Sequence, residues 1–103
     1  MKPVILSADN PCKIYMVPDA AAENLDTYCL KFCMDWLKHA PEAAKYRVIH
    51  SGYVAYCYNE TAFIEYLNLI FPKEPSFLVM ELGFEYDKEK LPEKYKSCPE
   101  FNF

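Results

Sequence analysis

Glycine is nearly absent from this chain, with only Gly52 and Gly83 among 103 residues. A phosphate-cradling loop or a dinucleotide fingerprint needs several glycines within one turn, so both are excluded. Arginine is scarcer still: Arg47 stands alone, and the guanidinium fork is the group that grips phosphate bidentately. The formal net charge is −4, and the one dense charge run, Asp87-Lys88-Glu89-Lys90, is of mixed sign. Duplex nucleic acid demands a cationic footprint that displaces counterions. None is present, so nucleic acid is not an expected partner.

Long apolar runs are missing too. Val4-Ile5-Leu6 is only three residues, against about 7–15 for a signal sequence and about 20 for a membrane helix. A membrane is therefore not an expected partner either. Cysteine is present in an odd count of five (Cys12, Cys29, Cys33, Cys57 and Cys98), with no Cys-x-x-Cys among them. Free thiols in a reducing, cytoplasmic compartment are the expectation. Neither a His-Glu-x-x-His helix nor a Gly-x-Ser-x-Gly elbow occurs, which removes two common hydrolytic designs.

Rings are what the chain has in quantity: nine Tyr, seven Phe and one Trp. Each can bury roughly 150–250 Å², so a core is easily built. An apolar fraction of 52% and a charged fraction of 25% are those of an ordinary globular domain. A single domain over 1–103 is expected.

Apolar periodicity orders the elements. Val4-Ile5-Leu6 and Lys13-Ile14-Tyr15-Met16-Val17 predict a hairpin around Asp9-Asn10-Pro11. From Ala20 to Lys38 the spacing predicts one helix, with Leu25, Tyr28, Cys29, Phe32, Cys33, Trp36 and Leu37 on a broad apolar face. Leu30 and Met34 fall on its polar side. Val48-Ile49-His50 and Tyr53 to Tyr58 predict two strands about the Ser51-Gly52 turn. Asn59 caps a second helix over Glu60 to Ile70, with Phe63, Tyr66, Leu67, Ile70 and Phe71 on one face. The run from Ser76 to Leu82 suits a capped helix closed by Gly83 or a strand, and the helix is favoured. Phe84 to Phe103 is too aromatic for a solvated tail, so it should pack back on the body, with a helical turn near Pro92-Glu93-Lys94-Tyr95. The expected fold is α+β: a small antiparallel sheet, ββαββα-like, with two main amphipathic helices on one face and a short C-terminal helix.

Few constellations carry chemistry. Cys29 and Cys33 lie one helical turn apart and could begin a metal site, but His39 points elsewhere and zinc wants four ligands. They read as core packing, and no metal or cofactor is expected. Cys57 and His50 flank the Ser51-Gly52 turn and could form a thiolate–imidazole pair, though no third orienting group is evident. Tyr53 points opposite to Tyr56 and Tyr58 on a regular strand, which limits any stacking platform. Asp26 reads as a pairing residue, and Glu60 and Glu65 lie on different sides of their helix.

The leading expectation is a non-catalytic protein-interaction or regulatory module whose partner is a protein or a second copy. Leu30, Met34, Tyr56, Tyr58, Phe101 and Phe103 are its candidate contact residues, with Leu69 as further surplus apolar surface. The alternative is a small-molecule-binding protein or minor enzyme using Cys57, His50 and the neighbouring tyrosines.

Overall fold

A computed structural model describes every residue except Asn10, so that position of the expected Asp9-Asn10-Pro11 turn lies outside the described residues. The chain is an α+β fold. β1 (Lys2–Ser7) and β2 (Cys12–Val17) pair antiparallel, with Ile5 opposite Ile14 and Val4 opposite Tyr15. They form the centre of a four-stranded sheet ordered β5-β2-β1-β6, where β5 is Phe77–Gly83 and β6 is Glu100–Asn102. β5 runs antiparallel to β2, while β6 runs parallel to β1.

Burial explains why β1 is apolar without interruption. Val4, Leu6, Tyr15 and Val17 face the helical layer. Ile5 and Ile14 face the opposite way, where Tyr95 and the half-buried Leu82, Tyr86 and Leu91 cover them. A strand covered on both sides has no polar face to show. The covering segment includes a 3-10 turn, Lys88–Lys90, and the helical turn α5 (Glu93–Lys96).

The segment expected to be one helix from Ala20 to Lys38 is divided. α1 (Asp19–Glu23) and α2 (Leu25–Lys31) meet at Asn24, which has φ −130° and whose side-chain amide donates to the Ala20 carbonyl at 3.0 Å. An asparagine that bonds local backbone competes with the helix there. Phe32–Trp36 then widens into a π-helical turn, and the Leu37 N–H donates five residues back, to the Phe32 carbonyl. This spacing places both Phe32 and Leu37 in the core, where a uniform α-helix would set them further apart around the axis. α3 (Leu37–His39) and a 3-10 turn (Pro41–Tyr46) complete the layer. α4 (Glu60–Ile70) buries Ala62, Phe63, Tyr66 and Leu67 against the same face of the sheet. Ile70 turns outward and is exposed.

Two finer expectations are corrected. Residues 76–82 do not form the favoured helix, because the run pairs with β2 as β5. Ladder bonds to a central strand override the local Ser and Gly signals, and Gly83, at φ +81°, ends a strand instead of capping a helix. The second hairpin, β3 (Arg47–His50) with β4 (Tyr53–Tyr56), does not extend the main sheet. It forms a two-stranded sheet by itself, and β5 and β6 take the edges.

Phe32 is the hub of the core. Its ring lies 5.5 Å from those of Tyr58, Phe63 and Phe103, 5.6 Å from Trp36 and 5.8 Å from Tyr66. Edge-on, tilted and stacked contacts of this kind add about 0.5–1.5 kcal/mol per pair beyond area burial. Lys13 on β2 and the buried Glu60 at the start of α4 form an ion pair of 2.8 Å that ties sheet to helix.

Candidate functional ribbon

The β3–β4 ribbon has no buried residue in either strand. Its turn, Ser51-Gly52, takes φ of +51° and +84°, the two left-handed positions that give a two-residue hairpin loop the twist of its strands. Register is regular: Arg47 faces Tyr56, Val48 faces Ala55, Ile49 faces Val54 and His50 faces Tyr53. Opposed residues share a face. Ile49, Val54 and Tyr56 therefore lie on one side with Arg47, and Val48, Ala55 and Tyr53 lie on the other with His50. Ile49 is 80% exposed, Tyr53 78% and Val54 53%. Neither face is covered.

What is fixed is the base. Arg47 Nη1 donates to the Leu37 carbonyl at 2.7 Å and Nη2 to the Ala40 carbonyl at 3.0 Å. The only arginine thus caps the C-terminal end of the α3 segment, where carbonyls lack partners and the helix dipole favours a cation. The Cys57 N–H donates to the Tyr46 carbonyl at 2.9 Å and closes the second leg. Tyr58, next along, lays its ring on Phe32 and brings its hydroxyl 3.8 Å from Cys33 Sγ. Asn59 caps α4 by accepting from the Thr61 N–H at 2.9 Å. Beside the base, Tyr46 donates to Glu65 at 2.5 Å and Lys45 reaches the same carboxylate at 2.7 Å. Burial opposes the Glu65 charge, yet these two hydrogen bonds outweigh it and hold the carboxyl below its ordinary value. Burial, with Glu65 beside it, pushes the Tyr46 phenol up to about 12.

An isolated two-stranded ribbon is marginal in water, so this one depends on its anchored legs. The radius of gyration, 14.3 Å, exceeds the about 13 Å of a compact 100-residue chain, in keeping with a ribbon set outside the main packing. No family model, curated protein or solved structure matches this chain. Function must therefore be argued from the geometry alone.

That geometry separates the residues singled out from the sequence. Leu30 and Met34 are well exposed, at 58% and 60%, and Tyr56 lies on the ribbon. Tyr58, Phe101 and Phe103 are half-buried and pack against the aromatic core. The Phe103 ring lies tilted at 5.2 Å from that of Phe63 and 4.8 Å from that of Phe101, and the Phe103 N–H donates to the Ser7 carbonyl.

The thiol–imidazole pair does not assemble. His50 sits opposite Tyr53 near the tip and Cys57 sits opposite Tyr46 at the base, four ladder positions apart, or about 13 Å. Cys29 is fully buried and Cys33 half-buried; burial raises the Cys29 thiol far above its usual range. Among the described residues no group of three metal-capable side chains converges, and no helix is long and apolar enough to cross a membrane.

An open hollow of about 490 Å³ lies along the α1–α2 junction, lined in part by Glu23, Asp26, Thr27 and Glu100. Two of its carboxylates are already paired, Glu23 with Lys2 at 2.6 Å and Glu100 with Lys88 at 3.1 Å.

The sequence reading missed Ile49 and Val54 as surface residues. Their signal was there in one respect: the ribbon's strands lack the polar alternation that a half-buried sheet shows. What could not be read was that this hairpin stands apart from the main sheet.

Proposed function

We propose that this chain is a non-catalytic, cytoplasmic protein-interaction module whose contact surface is the β3–β4 ribbon, with Leu30 and Met34 as further apolar contacts. The observation that carries this reading is the ribbon itself: a hairpin anchored at its base, apolar on both faces and buried on neither. Contiguous apolar surface of a few hundred Å² on a folded chain marks a contact region. Tyrosine suits such a region, since it offers large area at a low entropic cost. Five free cysteines support a reducing compartment.

A photo-crosslinking amino acid placed at Tyr53, and separately at Ile49, in producing cells tests the reading. A discrete protein adduct from the ribbon positions, absent from a control at exposed Glu93, is expected. Failure to form an adduct at both ribbon positions refutes it.

A further inference from the structure

We propose that the ribbon's partner is a second copy of this chain, joined by antiparallel pairing of β4 with β4 about a two-fold axis through Ala55. This rests on the reading of the ribbon as a contact surface and names its occupant.

The other sheet edges are blunted. β6 is only three residues long. β5 pairs with β2 through two irregularities, between Cys12 and Lys13 and between Ile14 and Tyr15, and bulges twist an edge away from pairing. β3 begins on Arg47, whose side chain is committed to the helix end, and finishes on His50. β4 has none of these devices. Tyr53-Val54-Ala55-Tyr56 contains no lysine, proline or bulge and no Asp, Glu or Arg. A second β4 can therefore approach it without opposing like charges.

Hydrogen-bond direction fixes the register. In a two-residue hairpin the pair flanking the turn, His50 and Tyr53, bonds inward. The Cys57 N–H also bonds inward, to Tyr46. Alternation along the strand then turns the N–H and C=O groups of Val54 and Tyr56 outward. Two-fold antiparallel strands must place one residue against its own copy, because hydrogen-bonded and non-bonded pairs alternate. With Ala55 at the axis, Val54 of each copy bonds Tyr56 of the other, and all four outward groups on each strand are used. The axis then falls on the smallest side chain of the strand, where the backbones come closest. Val54 faces tyrosine twice, a favourable aromatic–β-branched pairing. Tyr53 faces Cys57 of the other copy.

Edge-to-edge pairing buries chiefly Tyr53, Val54, Ala55 and Tyr56 and leaves Val48 and Ile49 on β3 in water, so the contact falls below the about 1,000 Å² of a stable specific interface. The pairing closes after two copies, since each β4 has one free edge. It belongs with weak, reversible interfaces and dissociates on dilution.

The test is a directed crosslink. In the variant Tyr53→Cys, residue 53 lies about 4.5–5.5 Å in Cα distance from Cys57 of the other copy, within disulfide reach. Within one chain the same two residues are about 13 Å apart. Purified, folded Tyr53→Cys treated with oxidised glutathione should give a covalent dimer, with the 53–57 linkage found by peptide mapping. The control Tyr53→Cys/Cys57→Ser should lose it. Ala55→Cys should link to its own copy. Wild-type protein should sediment as a concentration-dependent dimer, and Val54→Pro, which removes an outward N–H and no β3–β4 ladder bond, should shift it to monomer.

Failure of both crosslinks together with a monomeric wild type overturns the pairing, as does a dimer that Val54→Pro leaves intact. The photo-adduct at Tyr53 then separates the two ideas. An adduct to a different chain overturns the two-fold pairing and leaves the ribbon reading standing. No adduct at either ribbon position overturns both.

Discussion

Replacing Lys13 by Met should destabilise the protein by about 2–3 kcal/mol, and the reason is the carboxylate left behind. Glu60 is 4% exposed, and its Oε1 lies 2.8 Å from Lys13 Nζ. Removing one member of a buried pair costs about 3–5 kcal/mol, because the other charge stays desolvated. The Lys13 side chain is about one-fifth exposed, so water reaches the pair and the loss falls at or just below the lower end of that range. For a domain of this size, that loss corresponds to a fall of roughly 10–20 °C in Tm. The double variant Lys13→Met/Glu60→Met removes both charges and should recover most of it. A thermal and urea double-mutant cycle measures the coupling. The pH dependence gives a second check. The hydrogen bond that Lys13 donates to Glu60, acting against burial, raises the Lys13 pKa above 10.5. The wild-type contribution is therefore complete below pH 10.5 and fades as pH rises through the folded-state value. A Tm change within 3 °C (about 0.5 kcal/mol), or a double variant no better than the single, refutes the reasoning.

Alkali should unfold the protein above pH 10: burial, as the largest cause, pushes the Tyr46, Tyr58 and Tyr86 phenols up to about 12. The unfolded chain loses those protons near pH 10, so stability falls between 10 and 12, and tyrosinate absorbance should rise together with loss of near-ultraviolet dichroism. Arg47→Ala should cost about 1–3 kcal/mol by unpairing the Leu37 and Ala40 carbonyls, and Arg47→Lys should recover less than half, because one ammonium cannot match the fork. Amide exchange of the ribbon should accelerate in both variants, and unchanged exchange would show that the ribbon is held by other means. With a thiol reagent, exposed Cys57 should label at once and buried Cys29 only on unfolding; labelling at equal rates contradicts the packing described.

The central strands and the aromatic hub were legible because burial leaves a compositional mark. Val4-Ile5-Leu6 has no polar position to spare, and Phe32 and Cys29 fall where a helical period puts them in the core. Breaks in that period were not legible. Asn24 is an acceptable helix residue until its amide finds the Ala20 carbonyl, and the π turn that brings Leu37 beside Phe32 leaves no mark in the apolar spacing. Residues 76–82 carried helix punctuation that tertiary pairing overruled.

The ribbon was the least legible element, and for a general reason. A strand's period reports which faces are apolar, never whether a partner covers them. Tyr53-Val54-Ala55-Tyr56 reads the same inside a sandwich as at an open edge. Only the sheet order shows that β5 and β6 fill the places this hairpin was expected to occupy. A chain that commits its sole arginine to anchoring such a ribbon, and leaves Ile49 and Tyr53 in water, holds an apolar surface out from its core at a standing cost in solvation. Association along the β4 edge removes part of that cost. The same surface thus links this uncovered ribbon to the function proposed for it.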